Sequence, residues 1–142
     1  MYFENENCTY QIIVMGYTDT PERFSGNIGR NALSCEFSWF ENGNWVGTMW
    51  DELFQTDDII RLYDGIHNVL NHQTDTYSYR DKWDCVIMDI KTLDSNTFKL
   101  SVSVYDQSNG CYKSETFTLD ENDLRNFTDE LTELTKLFPV VD

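Results

Sequence analysis

From Phe98 the chain alternates, with Phe98, Leu100, Val102 and Val104 apolar and Lys99, Ser101, Ser103 and Tyr105 between them. A period of two turns one set of side chains into a core and the other into solvent, which predicts a half-buried strand. Asp106 to Gly110 is turn chemistry and Tyr112 to Leu119 runs extended again, so a hairpin is expected. The period then changes to three and four. Leu124, Phe127, Leu131, Leu134 and Phe138 recur on one helical face, with all five expected in the core. Asp120 stands where an N-cap belongs, Glu121 and Asp123 suit the positive end of the helix, and Pro139 stops it.

The amino-terminal half reads in the same way. Cys8 to Thr18 is rich in β-formers and predicts a first strand. Residues 19–30 contain a proline and two glycines, which predicts a loop of about a dozen residues and the most mobile segment of the chain. Ala32 to Phe40 alternates, Asn42-Gly43-Asn44 turns, and Trp45 to Trp50 returns, a strong hairpin signal that makes the first three strands a meander. Thr56 is placed to cap a helix from about Asp57 to Asn71, with Asp57 and Asp58 in its first turn and Ile59, Leu62, Ile66 and Val69 or Leu70 along its apolar stripe. Gly65 inside that helix costs about 1 kcal/mol relative to Ala. Tyr77 to Ile90 reads as one long strand, bent near Asp81.

The resulting order, β-β-β-α-β-β-β-α, predicts an α+β fold of about six mainly antiparallel strands with two amphipathic helices packed on them. Whether the strands form one curved sheet or two is left open by the pattern. A length of 142 residues suits one domain over residues 1–142, and 40% hydrophobic with 15% aromatic residues argues for a folded chain.

Charge changes the picture most. Twenty-five acids against ten bases give a formal charge of −15. Residues 1–60 carry ten acids and two bases and residues 120–142 seven and two, while the middle, with eight and six, is nearly balanced. This opposes direct binding to nucleic acid or to an anionic membrane and favours a cationic partner, although an acidic surface also serves solubility alone. The start has no basic region followed by an apolar one, so the cytoplasm is the expected location. Cys8, Cys35, Cys85 and Cys111 are too scattered for a zinc or redox pair and are expected as reduced, mostly buried thiols.

Candidate chemistry is sparse. His67 and His72 are five apart and do not share a helix face, and Asp57, Asp58 and Asp64 are accounted for by the helix dipole and by Arg61. Asp106-x-Ser108-x-Gly110 has Cys111 where a calcium loop requires glycine. Phosphate-binding, nucleophile-elbow and metalloprotease motifs are absent, so no catalytic residue, metal or cofactor is expected. On the last helix Asp120, Glu121 and Asp123 belong to the cap, whereas Asp129, Glu130 and Glu133 have no such role.

Three stretches carry a family resemblance. Trp45 to Leu53 leads into a helix, Phe98 to Val104 forms a strand, and Phe117 to Asp120 opens the last helix with Leu124, Phe127 and Leu131. In these the chain resembles the WapI-type immunity proteins of bacterial contact-dependent toxin systems. The resemblance implies a bacterial protein that binds and blocks a cognate toxin, and the absence of catalytic motifs agrees with a role without catalysis. The resemblance carries over no partner-binding residue; the charge excess of the first 60 residues and the last helix, with aromatic anchors, makes Trp45, Trp50, Asp57, Asp58, Asp129, Glu130 and Glu133 candidates for contact with a basic toxin. A ligand-binding regulatory module and an enzyme without a recognisable motif are the alternatives.

Overall fold

The computed structural model describes residues 1–18, 32–81 and 83–140. The loop expected over residues 19–30 lies outside the described residues. Among the latter, eight strands and two helices follow in the order β1 (Tyr2–Glu4), β2 (Cys8–Tyr17), β3 (Ala32–Glu41), β4 (Asn44–Gln55), α1 (Thr56–Leu70), β5 (Thr76–Arg80), β6 (Val86–Thr92), β7 (Thr97–Asp106), β8 (Cys111–Asp120) and α2 (Glu121–Leu137). They build two antiparallel sheets, β1-β2-β3-β4 and β5-β6-β7-β8. Each half of the chain is thus a four-strand meander followed by a helix.

The α+β class agrees with the pattern, but the strands number eight rather than about six, and they form two sheets. One addition is β1, only three residues long and paired through Tyr2 with Gln11 and Glu4 with Thr9. Phe3 holds it, buried with its ring 5.0 Å from that of Phe127 in an edge-to-face contact. The other comes from the run Tyr77 to Ile90, which is two strands and not one bent strand. Buried Asp81 accepts the backbone N–H of Trp83 at 3.1 Å and of Val86 at 2.8 Å, and the chain doubles back so that Arg80 pairs with Ile87.

The hairpin of β3 and β4 closes as expected, with positive φ at Asn42 (50°) and Gly43 (79°) between paired Glu41 and Asn44. Both helices begin with acids, in different ways. Gln55 and not Thr56 is the N-cap of α1, and Asp58 reaches back to accept the Gln55 N–H at 2.7 Å. At α2 Asp120 caps as expected, accepting from Asp123 at 2.8 Å while Asp123 accepts from Asp120 at 3.1 Å. Of the five-residue stripe, Leu124, Phe127 and Leu131 are buried; Leu134 and Phe138 are only half-buried at the trailing end.

Both sheets and both helices contribute to one contiguous core. A run of rings crosses it from Phe127 through Phe3, Phe117, Tyr10 and Phe37 to Trp39, with successive centroids 5.0, 5.7, 5.5, 5.0 and 5.3 Å apart. That run ties α2 to strands of both sheets. The four cysteines are free, yet only Cys35 is buried; Cys85 precedes β6 and exposed Cys111 heads β8 at its hairpin, so the expectation of mostly buried thiols fails. Burial pushes the Cys35 thiol up to about 12 and the Cys8 thiol up to about 11, the latter helped by Glu115 and Glu41.

Candidate partner-binding surface

The register of the first sheet sorts its side chains into two faces. Phe3, Tyr10, Ile12, Cys35, Phe37 and Trp39 enter the core. The opposite face carries, row by row across the strands, Glu4, Thr9, Phe40 and Trp45, then Tyr2, Gln11, Ser38 and Thr48, then Ile13, Glu36 and Trp50, with Ser34 and Glu52 beyond. Trp45 and Trp50 are 63% and 62% exposed, and Tyr2, Ile13 and Met15 are also exposed. Large apolar side chains on one sheet face, interleaved with Glu4, Glu36 and Glu52, form the kind of patch that marks an interaction site.

Trp45 is fixed in place. Its indole N–H donates to Thr48 Oγ1 at 2.9 Å, Thr48 and Ser38 hydroxyls lie 2.9 Å apart, and Ser38 Oγ donates to Glu36 Oε1 at 3.2 Å. Each hydroxyl has one proton, so Thr48 must donate to Ser38, and the direction runs from indole to carboxylate. A bulge between Trp39 and Phe40, opposite Val46, shifts the pairing so that Trp45 joins Phe40 on the outer face while Gly47 stays under Trp39. The side chain is therefore oriented before any partner arrives.

The candidate acids scatter. Asp57 is exposed in the first turn of α1. Asp58, expected as a contact residue, is buried; it closes the α1 cap and pairs with Arg61, so it has no free face to offer. On α2, Asp129 and Glu133 are exposed, Glu133 pairing with Lys136 at 2.6 Å. Glu130 receives the amino group of Met1, which places it beside β1. The first sheet thus has its two tryptophans on the β4 edge strand and Glu130 of α2 at the β1 edge, three strand spacings or about 14 Å away.

Sequence reasoning missed Tyr2, Glu4, Ile13, Met15, Glu36 and Glu52. Their signal was present only in part. Glu36 stands out as polar among alternating Leu33, Cys35, Phe37 and Trp39, but its place between Ile13 and Trp50 depends on pairing register. The second sheet presents a different outer face: Lys91 lies opposite Lys99, and hydroxyl pairs Ser101–Thr116 and Ser103–Ser114 cross from β7 to β8.

Among the described residues no group of three His, Cys, Asp or Glu is placed to hold a metal ion, and His67 stacks on Tyr63 while His72 lies against Phe98. A model of the immunity protein WapI-like family matches residues 1–139. The chain belongs to that family. No curated protein matches the chain in sequence. Its fold is similar to that of WHY3 from Arabidopsis thaliana, at 6% identity over 94% of this chain and 84% of that one with a TM-score of 0.51. It is also similar to the plant transcriptional regulator PBF-2, at 6% identity over 96% and 79% with a TM-score of 0.54. At such identity these likenesses describe the fold of the WapI-like chain alone. No helix among the described residues is long and apolar enough to cross a membrane.

Proposed function

We propose that this WapI-like protein acts in the cytoplasm without catalysis, binding and neutralising a basic toxin domain through the outer face of the first sheet. The observation that carries the reading is the mixture on that face of exposed Trp45, Trp50, Tyr2 and Ile13 with Glu4, Glu36 and Glu52. Aromatic anchors that exclude water, set among carboxylates that attract and orient a cationic partner, combine affinity with a fast encounter. Asp57, Asp129 and Glu133 add negative charge on the two helices.

A duplex or single strand of nucleic acid would meet those same carboxylates, so the transcriptional role named for PBF-2 is not carried across to this chain. A small-molecule module would call for a deep apolar pocket with a few convergent polar groups, and no observation favours one.

The direct test is co-expression with the toxin domain encoded beside this chain. Growth should be rescued and a complex should be recovered. Absence of both would return the chain to an immunity-family fold without an assigned target.

A further inference from the structure

We infer that the cleft between the free edge of β4 and the β7–β8 turn is a receptor for an arginine side chain of the partner protein. The inference rests on the toxin-binding reading and adds to it a chemical group and a place. Among the described residues β4 ends the strand order of the first sheet, and one edge of it has no strand beside it. Along that edge runs a cleft of about 510 Å³, lined by consecutive residues from Gly47 to Asp51 and closed on the far side by residues of the β7–β8 turn. Neighbouring strand residues point to opposite faces, so a lining made of five in succession opens along the strand edge and not on one face.

Three side chains give the cleft its chemistry. Trp45 and Trp50 both line it and are both nearly two-thirds exposed, and the first is held by its bond to Thr48. Asp51 supplies the carboxylate. Its Oδ1 accepts the Glu52 N–H at 2.7 Å and its Oδ2 accepts Gln107 Nε2 at 3.1 Å, which anchors it from both walls and leaves a lone pair on each oxygen. Among the described residues no Lys or Arg pairs with it. Asp106 also borders the cleft, but it accepts from Ser108 N and Asn109 Nδ2 at 3.0 and 2.7 Å; it holds the turn rigid and is not the receptor group.

A guanidinium answers this arrangement better than an ammonium. Its plane stacks on an indole, its fork reaches both oxygens of a carboxylate, and it is more weakly hydrated, so less is lost on leaving water. Glu52 and Glu36 beside Trp50 on the same strand pair draw the cation in.

The probe is a tri-arginine amide titrated into isotope-labelled full-length protein, with tri-lysine and tri-glutamate for comparison, followed through the tryptophan indole N–H signals. Tri-arginine should shift the Trp45 and Trp50 signals saturably, tri-lysine should bind more weakly, and tri-glutamate should not bind. Asp51→Asn should weaken tri-arginine by about tenfold, as expected for the loss of a charge-assisted bond, with an unchanged denaturation midpoint. Trp50→Ala should weaken it too. Saturable shifts elsewhere on the chain, no saturation, or wild-type affinity in Asp51→Asn would each overturn the inference. Because no toxin enters this experiment, such a failure leaves neutralisation to its own test, and failed growth rescue leaves the arginine receptor to this one.

Discussion

The ring of Tyr77 occupies the space in which a side chain on Gly65 would begin: a Cβ there would lie 2.2 Å from Tyr77 Cζ and 2.3 Å from Cε2. The Tyr77 hydroxyl then donates to the Arg61 carbonyl at 2.9 Å, one turn back on the same helix. A glycine that looks costly in the middle of α1 is therefore the condition for α1 and β5 to meet.

Gly65→Ala should destabilise the protein by about 1 to 3 kcal/mol through overpacking, opposite in sign to the ~1 kcal/mol that helix propensity alone predicts. Urea denaturation measures it. In a Tyr77→Ala background the same substitution should stabilise, and a stabilised single variant would mean that the ring gives way without cost.

Leu131 is fully buried in the middle of α2, whereas Leu134 one turn later is half-buried. Leu131→Ala should cost roughly 2 to 5 kcal/mol and Leu134→Ala clearly less. Equal denaturation midpoints for Leu131→Ala and wild type would show that this face does not dock the helix.

These elements show what the sequence makes legible. The closing unit, both helices and the Asn42-Gly43 hairpin carry their signals locally, in period, caps and turn residues, and they appear as elements where those signals place them, although Gln55 and not Thr56 caps α1 and Leu134 and Phe138 are only half-buried. β1 does not, because three residues hold no period and their place is decided by a distant contact between Phe3 and Phe127. The split of β5 from β6 is likewise hidden, since Asp81 reads as a polar residue in an alternating run until its two backbone partners are seen. At the site, the tryptophans could be named but their exposure depended on the bulge opposite Val46, and Asp58 could not be told from a free acid without the cap geometry.

The thiols should react in an order set by exposure and ionisation. Alkylation near neutral pH should reach exposed Cys111 first, and Cys35 only on unfolding, because burial holds it protonated. The pKa of Cys35 rises on folding from 9.0 to about 12, so its contribution to stability is present below 9 and is lost as pH climbs through that window. Mass spectrometry of partly labelled protein checks the order, and early labelling of Cys35 in the native state would contradict its burial.

Thr48→Val removes both the acceptor for the Trp45 indole and the donor to Ser38 while keeping volume. Since Trp45 is largely exposed, stability should change by less than about 1 kcal/mol, but the indole N–H should show greater side-chain motion in nuclear spin relaxation. The same variant should weaken toxin binding by loosening an anchor that is otherwise oriented in advance. Unchanged indole motion would show that the Thr48 bond does not hold the ring.

Asp129 and Glu133 offer the sharpest test of steering, because they are exposed and among the described residues Glu133 makes a surface pair with Lys136, worth about 0 to 1 kcal/mol. Glu130 is set aside, since its carboxylate holds the Met1 amino group and a change there would mix folding with binding. If long-range attraction guides a basic toxin in, wild-type association should slow as salt rises through about 0.1 M, where the Debye length is about 10 Å, with dissociation nearly constant. The double variant Asp129→Lys, Glu133→Lys should associate more slowly at low salt and show a flatter salt dependence, with an unaltered melting curve. Equal salt slopes for the variant and wild type would confine the electrostatic contribution to the face of the first sheet and remove α2 from the encounter.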